Sequence, residues 1–188
     1  MSETIYDRIV ALPRGDSRRQ EIAAVLGCHH LSTAMLRIQK IDDPDEKAQE
    51  HLASYLESHK LKPTIVIHRG HSYHVKYTIK QLPPSARIVI LGSCGGYHNL
   101  DDVLRTCPDA HIISSKEVGT KSVNEPILRA INEDLRQGKN VEWIPMWKML
   151  AEKFTSVEGK ERFDNYIPPH KNLGALFLKA YTKAMGTE

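Results

Sequence analysis

Residues 63–98 read PTIVIHRGHSYHVKYTIKQLPPSARIVILGSCGGYH, and this stretch decides the fold. It holds two short runs of β-branched and aliphatic residues, Thr64–Ile67 and Arg87–Leu91, separated by a segment of helical composition. Continuous apolar runs, unlike alternating ones, are typical of strands that are buried on both faces. The order of strand, helix and strand predicts a βαβ unit in a parallel sheet.

A third apolar run and further helical segments follow this unit. Ala110–Ile113 forms the third run, a fourth strand is predicted near Val141–Ile144, and Tyr166–His170 is predicted to be a turn. Helices are predicted between and after the strands, at residues 75–82, 100–105, 123–137, 147–154 and 173–185. We therefore expect one α/β domain over residues 61–188, with a mostly parallel sheet.

The N-terminal region has a helical pattern instead. Aliphatic side chains recur at helical spacing, and Asp43, Pro44 and Glu46 together mark a helix start. They supply an N-cap acid, a proline at the first helical position and a carboxylate three residues after the cap. This helix is predicted to end near His59. Residues 1–60 are therefore predicted to be a helical N-terminal region that offers a surface to a protein partner.

Composition narrows the class of protein. The chain has 188 residues, of which 40% are hydrophobic and 26% are charged, as in an ordinary globular domain. A net charge of +3 does not provide a concentrated basic face, so we expect no nucleic-acid partner. No apolar run has the length of a membrane span, and no signal peptide is recognisable. Three cysteines fit no disulfide framework, so we expect free thiols in the cytoplasm, unless the sequence is a piece of something longer.

Reactive side chains follow the first two predicted strands. The first strand leads into His68-Arg69-Gly70-His71, and the second leads into Gly92-Ser93-Cys94-Gly95. Parallel strands end at one edge of a sheet, where ligands and substrates usually bind. A nucleophilic cysteine needs exposure at a turn, a base, and backbone amides that stabilise an oxyanion. Cys94 is therefore the candidate nucleophile.

Three histidines are candidates for the base. His68 lies on the apolar strand, where a structural role is expected, and His74 is predicted to open the next helix. His71 follows a glycine in the loop, where its side chain can reach across the crevice, so we favour it. The backbone amides of Cys94 and of Ser72 are the candidate oxyanion donors.

These residues resemble the caspase-like cysteine peptidases, which include caspases, legumain, separase and gingipains. In that family a histidine in a Gly-His or Ser-His setting follows one hydrophobic strand, and the cysteine follows the next. Here the matching motifs are Gly70-His71-Ser72 and Ser93-Cys94-Gly95. The resemblance covers about residues 63–150 and implies a three-layer α/β/α fold and an endopeptidase that acts on polypeptides without cofactor or metal. It also implies Cys94 as the nucleophile and His71 as the general base and acid.

The resemblance further implies where a substrate side chain would bind. In such a peptidase, the residue before the scissile bond would lie near the loop Ser114–Gly119. Ser115 and Glu117 are the candidate pocket residues, and the Glu117 carboxylate would select a basic side chain. A solvated loop acid is the alternative interpretation of Glu117.

Other interpretations stay open at this point. Gly92-Ser93-Cys94-Gly95-Gly96 also matches the nucleophile elbow of α/β-hydrolases, with cysteine in place of serine and His170 as the later histidine. Acceptable zinc ligands are present at His68, His71, Cys94 and His98. Ser72 stands where the caspase-like family has glycine, so an inactive caspase-like domain kept for interaction or assembly is the non-enzymatic alternative.

Overall fold

The structure is a computed structural model that describes residues 45–186, apart from the side chains of residues 45–48 and 51. The helices predicted before residue 42 and the helix start at Asp43-Pro44 lie outside this range. The described elements, in chain order, are α1 (Asp45–Ser58), β1 (Ile65–His68), α2 (Val75–Lys80), β2 (Ile88–Leu91), α3 (Leu100–Thr106), β3 (His111–Ser115), α4 (Lys121–Arg136), α5 (Trp143–Ala151), α6 (Val157–Asp164), β4 (Tyr166–Ile167) and α7 (Leu173–Met185). Among these elements, no helix is long and apolar enough to cross a membrane.

The four described strands form one sheet in the order β1-β2-β3-β4. The first three strands are parallel, and β4 pairs with β3 in the antiparallel direction. The predicted α/β fold with a mostly parallel sheet is therefore confirmed. The physical cause is the predicted one. β2 is aliphatic on both faces and β3 places one isoleucine in each hydrophobic core, so both faces of the sheet must be covered.

Alternate side chains of β2 enter two different hydrophobic cores. Val89 and Leu91 pack with Ile112 and with apolar residues of α2, α3 and α7. Ile90 packs with Ile113 and with apolar residues of α4, α5 and α6. Each fully buried aliphatic side chain of this kind contributes about 1.5–3 kcal/mol relative to an exposed one. Burial of β2 on both faces therefore fixes the position of the turn that follows this strand and carries Cys94.

The strand predicted near Val141–Ile144 is wrong, because the chain there enters α5 at Trp143. Val141, Trp143 and Ile144 flank the polar Glu142, and so short a pattern does not by itself distinguish a strand from the first turn of a helix. Pro145 is tolerated in that first turn, where its missing N–H leaves no helical hydrogen bond unmade. The helix then buries Met146, Trp147 and Leu150 on one face.

The fourth strand instead comes from residues predicted to be a turn. Tyr166 and Ile167 pair with Ser115 and Ser114 of β3. A two-residue strand before two prolines carries no periodicity that a sequence reading can detect. The polar stretch before it forms α6, whose N-cap Ser156 accepts a hydrogen bond of 3.1 Å from the Gly159 amide.

Candidate functional site

The carboxyl ends of the three parallel strands carry the predicted site residues at matching positions. His68, Leu91 and Ser114 are neighbours in the register of the sheet. Three residues beyond these paired positions, the chain reaches His71, Cys94 and Glu117. The sheet therefore brings a base, a thiol and a carboxylate to one edge, as expected for parallel strands.

Cys94 is exposed in a tight turn between β2 and α3. Gly95 has φ +65°, in the left-handed region that glycine adopts without strain. A Cβ atom on Gly96 would lie 2.3 Å from the Leu91 carbonyl oxygen, so the chain can double back there only with glycine. The two glycines thus let the backbone turn directly after Cys94 and leave the thiol at the surface.

The backbone of this turn is held by β3 and the segment after it. Three hydrogen bonds hold it: from the Asn124 side-chain amide to the Gly92 carbonyl (2.9 Å), from the Ser115 hydroxyl to the Ser93 carbonyl, and from the Gly95 amide to the Glu117 carbonyl (2.6 Å). Asn124 and Ser115 are both buried. These contacts therefore fix the backbone that carries Cys94.

Several backbone amides at this edge, those of Gly70, His71 and Ser93 among them, donate to no acceptor within residues 45–186. Two more unused amides stand at the predicted oxyanion positions. They belong to Cys94 and to Ser72, the two predicted oxyanion donors. Ser72 opens a short 3₁₀ turn, Ser72–His74, immediately after His71. Unused backbone N–H groups beside a nucleophile are the groups that stabilise a developing oxyanion.

His71 and Cys94 are not hydrogen-bonded to each other. Both side chains are exposed, and the His71 ring stacks on Tyr73, with ring centroids 5.2 Å apart and planes 8° apart. Catalytic hydrogen bonds often become short only when substrate is bound. His71 and Cys94 therefore lie after neighbouring strands without a hydrogen bond between them. A catalytic hydrogen bond between them would form only in a complex with substrate.

The other nearby histidines have different surroundings. His68 is buried, with Nδ1 2.8 Å from the Thr78 hydroxyl and Nε2 3.3 Å from the His71 carbonyl oxygen. A carbonyl oxygen only accepts, so the tautomer with a proton on Nε2 satisfies both contacts. His68 thus supports the loop that carries His71. The His98 ring is exposed and lies over Gly95, 3.2 Å from the position of a Cβ atom there.

The pKa of the Tyr166 hydroxyl is shifted by its surroundings. Burial raises the pKa of this hydroxyl, and the hydrogen bonds with Thr120 and the nearby Arg69 guanidinium lower that pKa. Arg69 also forms an ion pair of 2.6 Å with Glu125 of α4. This ion pair ties the loop after β1 to α4.

A surface pocket of about 290 Å³ adjoins the loop after β3. Its polar lining includes Glu117, Glu158, Glu161, Arg162 and Asn165. Arg162 pairs with Glu158, which leaves the other two carboxylates without a cationic partner among the described residues. Ser115, which was expected to line a pocket, is instead fully buried beneath the Cys94 turn.

The structure also locates the residues of the rival interpretations. Within residues 45–186, no group of three or more His, Cys, Asp and Glu side chains is placed to hold a metal ion. His170 lies in a 3₁₀ turn, where burial and then Lys171 lower its pKa, and it makes no hydrogen bond with Cys94.

The Cys107 thiol is buried and donates to the Pro83 carbonyl at 3.1 Å. Burial raises the pKa of that thiol, which makes it a poor nucleophile.

Sequence reasoning missed three residues that shape the site. Asn124 anchors the Cys94 turn, Tyr166 binds both the amide and the carbonyl of Thr120, and Gly119 passes close to the Gly92 carbonyl. Glycine in the loop after a strand was the one signal available, since close backbone approach is a common reason for it. The two side chains lie on elements remote in sequence, so no local pattern reveals them.

Comparison with protein families, with curated proteins and with solved structures finds no match. The caspase-like resemblance rests on the strand-end motifs of the sequence alone.

Proposed function

We propose that the chain is a cysteine-nucleophile hydrolase, an endopeptidase of the caspase-like type that uses a Cys94/His71 dyad. One observation carries this proposal: an exposed thiol with an unused backbone amide lies after β2, and a histidine lies at the matching position after β1. The two hydrophobic cores on either side of β2 support a three-layer α/β/α arrangement of the caspase-like type. Since the reaction needs a free thiol, we expect the protein to act in a reducing compartment such as the cytoplasm.

In the proposed reaction, His71 leaves its stack on Tyr73 and accepts the Cys94 proton. The thiolate attacks the peptide carbonyl carbon, a C–S bond forms, and the carbonyl electron pair moves to oxygen. The Cys94 and Ser72 amides donate to this oxyanion. His71 then protonates the leaving amine as the C–N bond breaks, and water hydrolyses the thioester that remains.

A peptide-library cleavage assay after iodoacetamide treatment tests this proposal. We expect the untreated chain to cleave peptides and the treated chain to have lost this activity, with the adduct mapped to Cys94. A selective, fast reaction at Cys94 over Cys107 near neutral pH is expected because the first thiol is exposed and the second is buried. Fast labelling without any cleavage would favour the inactive assembly domain instead.

The pocket beside Glu117 predicts a substrate preference for Lys or Arg before the scissile bond. The Gly95 amide bonds the Glu117 carbonyl, so the pocket directly adjoins the Cys94 turn. Glu117→Gln is expected to lower kcat/KM for basic peptides by roughly tenfold to a hundredfold, since a hydrogen bond between charged groups is lost. Glu152→Gln is a matched control, because this exposed acid lies after α5 and not in the pocket. Equal loss for neutral peptides would contradict a role in selectivity.

A further inference from the structure

The hydroxyl of Ser115 acts on the peptide group that carries the Cys94 amide. Ser115 is the last residue of β3 and is 0% exposed. Its hydroxyl donates a hydrogen bond to the Ser93 carbonyl oxygen. That carbonyl and the Cys94 N–H belong to one planar peptide unit. The Gly96 amide donates to the same carbonyl oxygen at 3.3 Å. Together the two contacts with the carbonyl set the direction of the N–H as well.

The direction of the Cys94 N–H follows from the geometry of a trans peptide. The C=O and N–H bonds of such a unit point to opposite sides of the chain. Since the Ser93 carbonyl is held toward a buried hydroxyl, the Cys94 N–H is turned away from the interior. The exposed Cys94 thiol and the absence of an acceptor for this amide among the described residues agree with that direction.

The same contact strengthens the amide as a donor. A hydrogen bond accepted by a carbonyl polarises the peptide unit, and hydrogen bonds in such a chain reinforce one another. A buried pair is electrostatically stronger than one in water. Ser115 thus affects both where the Cys94 N–H points and how strongly it donates.

We propose that Ser115 is a positioning residue that aims and polarises the Cys94 amide as an oxyanion donor. This inference rests on the proposed acyl-transfer function of Cys94. It assigns Ser115 a place beneath the turn, and not a place in the substrate pocket.

Ser114 provides a matched control on the same strand. It is also 0% exposed, but its hydroxyl has no hydrogen-bond partner among the described residues. Removal of either hydroxyl makes the same chemical change one residue apart. Ser114→Ala and Ser115→Ala therefore differ mainly in the contact with Ser93.

Two small reagents distinguish stabilisation of the oxyanion from the intrinsic reactivity of the Cys94 thiol. p-Nitrophenyl acetate acetylates Cys94 through a tetrahedral oxyanion: a C–S bond forms, the ester C–O bond breaks, p-nitrophenolate leaves with the electron pair, and the base takes the thiol proton. Iodoacetamide alkylates the same sulfur by displacement of iodide at a saturated carbon, so no oxyanion forms. Both adducts are measured at Cys94 by peptide mapping of the full 188-residue chain.

We expect Ser115→Ala to slow acetylation of Cys94 roughly tenfold, less than complete loss of an oxyanion donor, with alkylation changed less than about twofold. Ser114→Ala should leave both rates within about twofold, because it removes no contact with the turn. Should Ser115→Ala fail to fold, as judged by thermal denaturation, Ser115→Cys keeps the shape and weakens the donor, so a smaller but selective loss of acetylation is expected.

Two results would overturn the inference. Equal rates of acetylation in Ser115→Ala and the parent chain would show that the contact does not aim the amide. A parallel loss of both reactions would show that Ser115 only supports the structure of the turn. If the parent chain is alkylated but not acetylated at Cys94, the peptidase proposal itself fails, and the role of Ser115 fails with it.

Discussion

Replacing Cys94 with alanine is expected to lower peptide cleavage by at least roughly a thousandfold, because the sulfur that forms the covalent intermediate is gone. Thermal unfolding should change little, since Cys94 is exposed and makes no hydrogen bond within residues 45–186. Cys107→Ala is the matched control. The Cys107 thiol is buried against the Pro83 carbonyl, so its removal should lower the free energy of unfolding and leave the cleavage rate unchanged.

His71→Ala is the second half of this experiment. Loss of the base should lower kcat by roughly a hundredfold to ten-thousandfold, the usual contribution of general acid–base catalysis. His98→Ala is the informative control, because the His98 ring is exposed and lies over Gly95 next to Cys94. A loss in the His98 variant with full activity in the His71 variant would assign the base to His98, in the turn before α3. Cleavage that survives both Cys94→Ala and His71→Ala would exclude the dyad.

The parallel sheet was predictable from residues 63–113 because each buried strand is a continuous apolar run after proline. Runs such as Ile88–Leu91 have no polar face, so a sheet covered on both sides is the arrangement that satisfies them. The stretch 141–144 shares the bulky apolar residues Val141, Trp143 and Ile144 but includes Glu142. It leads into a helix that leaves Ile144 exposed and buries Trp147. Short apolar runs do not contain the information that separates these cases.

Sequence patterns locate the candidate site residues at the strand ends, but they do not reveal the residues that contact them from elsewhere in the fold. His71 and Cys94 are visible in the sequence because strand ends in a parallel sheet share an edge. Ser115 was placed in a pocket because it follows the third strand, but β3 is covered on both faces and therefore buries it. The contact between Asn124 and Gly92 joins residues 32 positions apart. Such tertiary hydrogen bonds leave no periodic signal in one sequence.

Gly119→Ala is expected to have the largest effect of any single methyl group added near the site. A Cβ atom there would lie 2.1 Å from the Gly92 carbonyl oxygen and 2.8 Å from the Ser93 carbonyl carbon. Both atoms belong to the backbone of the Cys94 turn, so no side-chain rotation relieves the clash. The free energy of unfolding should fall by about 3 kcal/mol, the upper part of the usual range for overpacking.

The same methyl group should also move the nucleophile. The turn can yield only by shifting Gly92 and Ser93, and with them the Cys94 thiol and amide. A misplacement of about 1 Å costs roughly a hundredfold in rate, so kcat of the folded fraction should fall by that factor. Gly138→Ala is the control: φ is +68° with no atom within 4 Å, so about 1 kcal/mol of backbone strain is expected with unchanged kcat. Urea unfolding and cleavage rates measured on both variants separate the two effects. If Gly119→Ala is destabilised yet cleaves at the parent rate, the close approach supports the fold without positioning Cys94.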